Sequence, residues 1–174
     1  VGFPAAYTEV EIRDESNQAI TDLNEPGELC VRGPQVMSGY WKSEDSGLDE
    51  NNWFKTGDIA RIDETGNIFI VDRKKDMIIV SGFNVFPNEV EAVVNEHPAV
   101  LECGCVGIKG ENSQESVKVF IVLHEGQSLS EEELISFCRE KLTAYKVPKQ
   151  VEFISEIPKT NVGKVLRREL KTND

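Results

Sequence analysis

Apolar and polar positions alternate along much of the first part of the chain. The alternation runs over residues 7–14 and 28–32, and it recurs over residues 53–71, where the polar segment 63–66 interrupts it. Because successive side chains of a strand point to opposite faces, this pattern predicts antiparallel strands, the last two joined as a hairpin. We therefore expect residues 1–72 to be mainly β.

Helical spacing of apolar positions appears in the second part of the chain. Pro87 suits the first turn of a helix, because that position needs no amide hydrogen. Ser130, followed three residues later by Glu133, is a capping box that marks the start of another helix. The side chains expected on the two buried helix faces are Val90, Val93, Val94 and His97 in the first, and Leu134, Phe137, Cys138 and Leu142 in the second.

Short apolar runs around these helices predict four strands, at residues 77–80, 99–108, 117–123 and 151–154. A short terminal helix is expected near residues 164–170. The character of the chain changes at the charged segment 72–76, which is typical of a domain boundary. The predicted fold is therefore a mainly β part over residues 1–72, followed by a small α+β domain over residues 73–174.

Composition and charge narrow the classes of function. The 174 residues include 19 Lys and Arg against 31 Asp and Glu, for a formal net charge of −12. Such an acidic chain is a poor candidate for nucleic-acid binding, which depends on neutralising phosphates. The longest apolar run, residues 119–123, is far shorter than the roughly 20 residues that span a bilayer. Residues 139–171 carry 9 basic and 4 acidic side chains; they indicate either an anion site or a solvated helix surface.

The cysteine pattern favours a structural role. The four cysteines are Cys30, Cys103, Cys105 and Cys138. They show neither the spacing of a disulfide framework nor a Cys-x-x-Cys pair, and His97 and His124 lack ligand-like spacing. We expect buried small hydrophobes in a reducing compartment rather than a structural zinc site.

Two polar positions in the first part are candidates for nucleotide binding. In Thr56-Gly57-Asp58, a carboxylate follows a glycine between strands, and such an Asp can accept hydrogen bonds from both ribose hydroxyls. The alternative is an ordinary Asx turn, which spacing alone favours. Arg73 is suited either to a nucleotide contact or to a salt bridge at the domain boundary.

A third candidate is the loop over residues 158–164, which presents Lys164 beside Gly163. A lysine on a flexible loop suits an anionic transition state, although an exposed loop lysine taken alone is usually only solubilising. A Walker A loop is excluded, because Pro158 stands where that motif needs glycine and Val165 where it needs Ser or Thr.

Five sequence motifs, in order along the chain, resemble those of the adenylate-forming enzymes. They are GELCVRGP (27–34) with GYW (39–41), NNWFKTGDIAR (51–61) continuing to GNIFIVDRKK (66–75), SGFNVFPNEVE (81–91), YKVPK (145–149) and PKTNVGK (158–164). The second resembles the fatty-acyl-CoA synthetase signature over its whole length. The resemblance covers essentially the full chain and is greatest to bacterial long-chain fatty-acid–CoA ligases, which implies their fold: a β-subdomain of the large domain followed by a small α+β domain.

The resemblance also implies roles in forming an acyl-adenylate. Asp58 matches the family residue that holds the ribose hydroxyls of AMP, and Arg73 matches the one that contacts the same ribose and phosphate region. Lys164 matches the lysine that enters the active site for adenylation. It would stabilise charge on the carboxylate and the α-phosphate as pyrophosphate leaves.

A further implication is a rotation between two half-reactions. Lys75 falls on the family hinge, about which the small C-terminal domain turns. Ser81 and Gly82 fall in the loop that lines the pantetheine tunnel in the thioester-forming arrangement, where a side chain at Gly82 would obstruct it. The turn would withdraw Lys164 and allow the CoA thiol to attack, so that one site serves both steps.

Several parts of such an enzyme are absent from this sequence. The phosphate loop, the adenine and magnesium motif and the acyl-chain tunnel of the family all precede the region represented here. The resemblance therefore implies that the main ATP and Mg²⁺ sites lie in a missing N-terminal part, with CoA as co-substrate and no metal ligand in this chain. No signal peptide is visible at Val1, and the missing Met indicates that this is a piece of a longer protein. We expect the piece alone to be inactive.

The expected partners are a fatty acid, ATP or AMP, CoA and the missing N-terminal domain, without nucleic acid. The expected location is the cytoplasm, with peripheral association at the inner membrane left open for the full-length protein. Two alternatives remain: an adenylation domain that feeds a carrier protein, and a non-catalytic nucleotide- or CoA-binding module. The stop at Asp174, soon after the predicted terminal helix, favours a free ligase over the first alternative.

Overall fold

The structure is a computed structural model that describes residues 1–42, 46–110 and 114–171. By their contacts the residues divide into two units, Val1–Lys75 and Asp76–Asp174. In the described part of the chain, no helix is both long enough and apolar enough to cross a membrane.

The first unit is built on a four-stranded antiparallel sheet with the strands in chain order. Its strands are β1 (Glu9–Arg13), β2 (Gly27–Arg32), β3 (Phe54–Ile62) and β4 (Ile68–Arg73). One face packs into a small core around Ile12, Leu29, Ala60 and Ile68. The mainly β prediction is confirmed, because the alternating side chains place one apolar face against this core.

The predicted hairpin between β3 and β4 is also confirmed. Asp63 closes its turn, since one carboxylate oxygen accepts the backbone N–H groups of Thr65 and Asn67, each at 2.9 Å. The polar segment that interrupts the alternation is therefore an Asx-type turn with Gly66 in a left-handed conformation, at φ +84°. The turn of this hairpin is thus closed by residues that are close together in the sequence.

The second unit has a three-stranded sheet with helices on both faces. Strands β7 (Val100–Lys109) and β8 (Glu115–Leu123) are antiparallel, and β9 (Gln150–Phe153) joins β8 in parallel. A small hairpin of β5 (Ile78–Val80) and β6 (Phe83–Val85) precedes them. The helices are α1 (Pro87–Val94), α2 (Glu131–Lys141) and α3 (Arg167–Lys171). The predicted α+β domain is thus present.

Alternate side chains of β8 separate two apolar cores. Val119 and Ile121 belong to the larger core with α1, α2 and the β5–β6 hairpin, whereas Phe120 belongs to a smaller core with Leu170 of α3. Gly104 of β7 permits the close approach of α3, because a Cβ there would lie 2.6 Å from the Leu170 side chain. The sheet is therefore covered on both faces.

The helix signals were correct at two starts and wrong in other details. Pro87 opens α1, and the Ser130–Glu133 capping box opens α2, as predicted. His97 lies beyond the end of α1, so its placement on that helix face was wrong; it instead packs edge-on against Phe137, with ring centroids 5.0 Å apart. The last helix begins at Arg167 rather than near residue 164. The short strand β6 was not predicted.

Candidate active site

Asp58 and Arg73 face each other across two strands of the first unit. The register pairs Asp58 of β3 with Arg73 of β4, and the Arg73 Nε lies 3.6 Å from the Asp58 Oδ1. Both side chains remain accessible, with 35% of Asp58 and 60% of Arg73 exposed. The Asx-turn alternative for Asp58 is therefore wrong: this carboxylate lies in a strand, opposite a guanidinium in the same unit.

A bulge between β2 and β3 determines the position of the Asp58 backbone. The pairing of β2 with β3 shifts between Glu28 and Cys30, so the segment around Gly57 lies opposite Leu29 as a bulge. The Thr56 hydroxyl donates to the Leu29 carbonyl at 2.8 Å and accepts the Asp58 N–H at 3.1 Å. Sequence reasoning did not assign a role to Thr56. Its position one residue before a strand glycine was the available signal.

The backbone of Arg73 is held by the side chain of the residue before it. The Asp72 carboxylate, with only 2% of the residue exposed, accepts the backbone N–H of Arg73 at 2.8 Å. The strand then passes into a 3₁₀ turn over Lys74–Asp76. Lys74 binds Glu28 of β2, with its Nζ 2.7 Å from a Glu28 carboxylate oxygen. The Arg73 backbone is thus fixed while its guanidinium stays open to solvent.

These side chains border an open depression of about 440 Å³. It is lined by Thr56, Gly57, Asp58, Arg73, Lys74 and Lys75. Three cationic groups and one carboxylate around such a depression suit a ligand that carries both hydroxyl groups and negative charge. The structure therefore brings three predicted site residues, Asp58, Arg73 and Lys75, to one place.

Ser81 and Gly82 form the two-residue turn of the β5–β6 hairpin in the second unit. Val80 pairs with Phe83, and both turn residues have positive φ, +52° for Ser81 and +86° for Gly82. This is the backbone of a tight primed turn, where glycine is strongly preferred. A Cβ at Gly82 would meet nothing within 4 Å in the structure, so here the need for glycine arises from the turn itself.

Lys164 lies in an exposed loop of the second unit that is closed by backbone hydrogen bonds. Lys159 and Val165 form a β-bridge at its base, and the Thr160 N–H donates to the Lys164 carbonyl at 2.8 Å. The Lys164 N–H donates to the Thr160 hydroxyl at 3.1 Å, and Gly163 supplies the left-handed residue, at φ +79°. No ion pair of the Lys164 Nζ occurs within residues 1–42, 46–110 and 114–171. The loop backbone is ordered by these bonds, while the ammonium group faces solvent.

The four cysteines are free and buried. Burial raises the pKa of the Cys138 thiol to about 11 and also raises the pKa values of Cys30 and Cys103. A buried thiol with a raised pKa is a poor nucleophile, so the predicted packing role is confirmed for these side chains. Among the described residues, no group of three His, Cys, Asp or Glu side chains is arranged to hold a metal ion.

Two family profiles match the chain. Residues 1–41 match the profile described as AMP-binding enzyme, and residues 89–164 match the one described as AMP-binding enzyme C-terminal domain. The chain belongs to the AMP-binding enzymes. Both profiles leave out residues 42–88, where five of the six predicted site residues of this AMP-binding enzyme lie. The roles of these five residues are therefore supported by their sequence motifs and their geometry in the structure.

Similar proteins agree with this membership. The long-chain-fatty-acid–CoA ligase of Escherichia coli O157:H7 is 55% identical over 98% of this chain. ATP-bound MatB from Rhodopseudomonas palustris superposes with a TM-score of 0.92 at 29% identity over 99% of this chain, which is 35% of MatB. The o-succinylbenzoate CoA synthetase of Bacillus subtilis, bound to its acyl-adenylate, has a TM-score of 0.83 at 35% identity over 97% of this chain and 34% of its own. This AMP-binding enzyme chain spans about 30% of the length of the Escherichia coli ligase.

Proposed function

We propose that this chain is the C-terminal part of an ATP-dependent long-chain fatty-acid–CoA ligase. The whole enzyme joins a fatty acid carboxylate to the α-phosphate of ATP and releases pyrophosphate. The CoA thiol then attacks the acyl carbon, and AMP leaves with the bonding electrons of the acyl–phosphate bond. The support is the 55% identity to a long-chain ligase over nearly the full chain, together with a site suited to AMP.

The observation that carries the proposal is the Asp58–Arg73 pair at the rim of the depression. A ribose presents two neighbouring hydroxyl donors, which an ionised Asp can accept, and a 5′-phosphate, which a guanidinium attracts. Asp58 and Arg73 lie 3.6 Å apart on paired strands, so one nucleoside monophosphate can contact both. This pair holds the nucleotide in both half-reactions.

Lys164 serves the first half-reaction. Its ammonium is exposed at the end of an ordered loop and is available for an incoming anion. In the adenylation step, negative charge increases on the carboxylate and α-phosphate oxygens, and a cation that reaches them lowers the barrier. Lys164 binds those oxygens in the transition state, and the loop withdraws before CoA reacts.

Residues 73–174 act as the mobile domain, with Lys75 as the hinge. Lys75 follows directly on β4 in a 3₁₀ turn, at the end of the first unit. The Ser81-Gly82 turn is exposed, with open space around it, as a loop that lines a narrow substrate passage requires. Rotation about Lys75 exchanges Lys164 for this turn at the reacting phosphate.

Magnesium does not fit the described residues of this chain, because they contain no suitable group of carboxylates. The ATP phosphates and their metal are bound by the part of the enzyme that precedes this chain, and the chain alone should be inactive.

The test is fatty-acid-dependent ATP–pyrophosphate exchange, measured on the full-length protein that contains this chain and on the chain alone. Exchange by the full-length protein and not by the chain is the expected result. If a folded full-length protein exchanges with medium-chain but not long-chain acids, the ligase class stands and the long-chain assignment is wrong. Exchange with no carboxylic acid would overturn the proposal.

A further inference from the structure

Arg167 lies three residues after Lys164 and is firmly held. Its Nη2 donates to both carboxylate oxygens of Glu91, at 2.9 and 2.8 Å, and its Nε donates to one of them at 3.2 Å. The same Nη2 lies 2.7 Å from Oδ1 of Asn88, which like Glu91 belongs to α1. Only 14% of the Arg167 side chain and 13% of the Glu91 side chain are exposed. This is a multidentate pair that solvent screens weakly.

Glu91 connects three elements at one carboxylate. Besides Arg167 of α3, its Oε1 accepts the backbone N–H of Cys105 in β7 at 2.8 Å. Arg167 also faces a second carboxylate, with its Nη1 3.7 Å from Oδ2 of Asp76. Asp76 directly follows Lys75, the proposed hinge. The guanidinium therefore joins the base of the Lys164 loop to α1, to the central sheet and to the start of the second unit.

The Lys164 loop depends on such anchors because the helix that follows it is short. Helix α3 has five residues, too few to be stable without tertiary contacts. Its apolar anchor is Leu170, which is 1% exposed. On the other side of the loop, Lys159 forms an ion pair with Glu102 of β7. Arg167 is thus the charged anchor on the C-terminal side, and Lys159 the one on the N-terminal side.

We propose that Arg167 is a positioning residue for Lys164: it fixes the C-terminal base of the lysine loop to Glu91, so that the ammonium reaches the acyl–phosphate oxygens during adenylation. This inference rests on the proposed function of Lys164. The guanidinium contacts Glu91, Asn88 and Asp76, so Arg167 acts on Lys164 through the backbone of residues 164–167 and does not touch the substrate. Catalysis is sensitive to such placement, since a displacement of about 1 Å can reduce a rate by about 100-fold.

The variants are Arg167→Ala and Arg167→Lys in the full-length protein. Two half-reactions are measured separately: fatty-acid-dependent pyrophosphate exchange, and thioester formation from supplied acyl-adenylate and CoA. Arg167→Ala should slow exchange by about 10- to 100-fold and leave thioester formation within about twofold, because only the first step uses Lys164. Arg167→Lys keeps the positive charge but loses the planar guanidinium that donates several hydrogen bonds to Glu91, so the variant should fold. Its pyrophosphate exchange rate should lie between those of the wild type and Arg167→Ala.

A matched control separates positioning from general loss of stability. Leu134 is fully buried in the larger core, on the opposite face of the sheet from α3. Leu134→Ala leaves a cavity there and destabilises the unit without touching the lysine loop. It should alter the two half-reactions by the same factor. Equal slowing of both steps by Arg167→Lys, as in this control, would overturn the positioning role.

A double variant tests whether Arg167 acts through Lys164. If it does, adding Arg167→Lys to Lys164→Ala should cause no further loss of exchange, because the group being positioned is already gone. Multiplicative losses would overturn the inference. If Lys164→Ala alone leaves exchange unchanged, the proposed function of the loop fails; if Lys164→Ala is slow while Arg167→Lys is not, only the present inference fails.

Discussion

The Asp58–Arg73 pair and Lys164 differ in how the fold holds their charges. Asp58 and Arg73 lie opposite each other on hydrogen-bonded strands, and each charge has its counter-charge 3.6 Å away. Lys164 lies at the end of a loop, and the ion pairs of Lys159 and Arg167 hold the two sides of that loop rather than its own ammonium. The Asp58 and Arg73 charges compensate each other in place, whereas no counter-charge contacts the Lys164 ammonium in the part of the chain that the structure describes.

In the proposed function, this difference corresponds to different tasks. A ligand that must stay bound through two reactions is served by groups whose geometry a sheet maintains. A group needed in only one of the two reactions must be able to leave, and a cation without a fixed partner loses no ion pair when it does so. Substitutions should therefore separate the two sites by which half-reaction they affect.

The largest effect is expected for Lys164→Ala in the full-length protein. Removing the cation should slow acyl-adenylate formation by about 100- to 1000-fold, because the developing charge loses its stabilisation. Thioester formation from supplied acyl-adenylate should be nearly unchanged. Lys171→Ala, which removes another exposed lysine of the second unit, is the control. Equal loss in both steps would refute the assignment of Lys164 to one of them.

Asp58→Asn should affect both half-reactions, and its effect should be smaller than that of Lys164→Ala on acyl-adenylate formation. An amide of the same shape keeps one acceptor oxygen and loses the charge, so nucleotide binding should weaken by about 10-fold or more. The measurements are the KM for ATP in ATP–pyrophosphate exchange and the KM for acyl-adenylate in thioester formation. Glu64→Gln, in the exposed turn of the same hairpin, is the control and should change neither constant. A loss confined to one half-reaction would contradict the ribose-holding role.

A smaller effect is expected for Lys75→Pro. Proline fixes φ at the proposed hinge, so it should slow the rotation and mainly reduce thioester formation, by several-fold. Lys75→Ala removes the same side chain but leaves φ free, and should be much milder. Single-turnover rates for the two half-reactions make the comparison. Unchanged rates in both for Lys75→Pro would remove Lys75 from the hinge.

The smallest effect, and one on stability alone, is expected for Ser130→Ala. Loss of the cap should destabilise α2 by about 1 kcal/mol, since the Glu133 N–H loses its partner. It should be observed as faster amide hydrogen exchange in Glu131–Lys141, with both half-reactions unchanged. Unaltered exchange in α2 would show that the capping box adds nothing.

The same cap makes a pH dependence predictable. Hydrogen bonds from the backbone and side chain of Ser130 lower the pKa of Glu133 from its ordinary value of 4.5. A lowered folded-state pKa gives stability that is present above pH 4.5 and lost as the pH falls through the lowered value. The difference in the amide hydrogen exchange rate of α2 between wild type and Ser130→Ala should therefore become smaller as the pH falls through the lowered pKa of Glu133.

The elements that could be predicted from the sequence are those that neighbouring residues determine. Asp63 closes the β3–β4 turn and Ser130 caps α2, each within four residues of the groups that it binds, and Pro87 opens α1 through its own fixed backbone angle. Strand β6 was missed because Asn84 interrupts its apolar residues, whereas the equally short β5 is a continuous apolar run. Its turn at Ser81-Gly82 was nevertheless a usable hairpin signal.

The sequence named candidate site residues one by one, but it did not predict which of them would contact each other. Asp58 and Arg73 were both identified, yet their contact depends on a strand register that bulges alter. The contact of Glu91 with Arg167 joins residues 76 positions apart, which no local pattern encodes. The assignment of residues 73–174 as a mobile domain, and of Lys75 as its hinge, stays a prediction.

The smaller core of the second unit has a consequence for synthesis on the ribosome. Val106, Phe120 and Val122 of the central strands are covered by Ile157 and Leu170, which are translated much later. Until those residues emerge, the nascent sheet presents an apolar face to solvent, and such exposed surfaces favour aggregation. Because Leu170 and Arg167 belong to the same short helix, the segment that completes this core also ties the C-terminal side of the lysine loop to Glu91, so a nascent chain acquires its hydrophobic cover and this contact together.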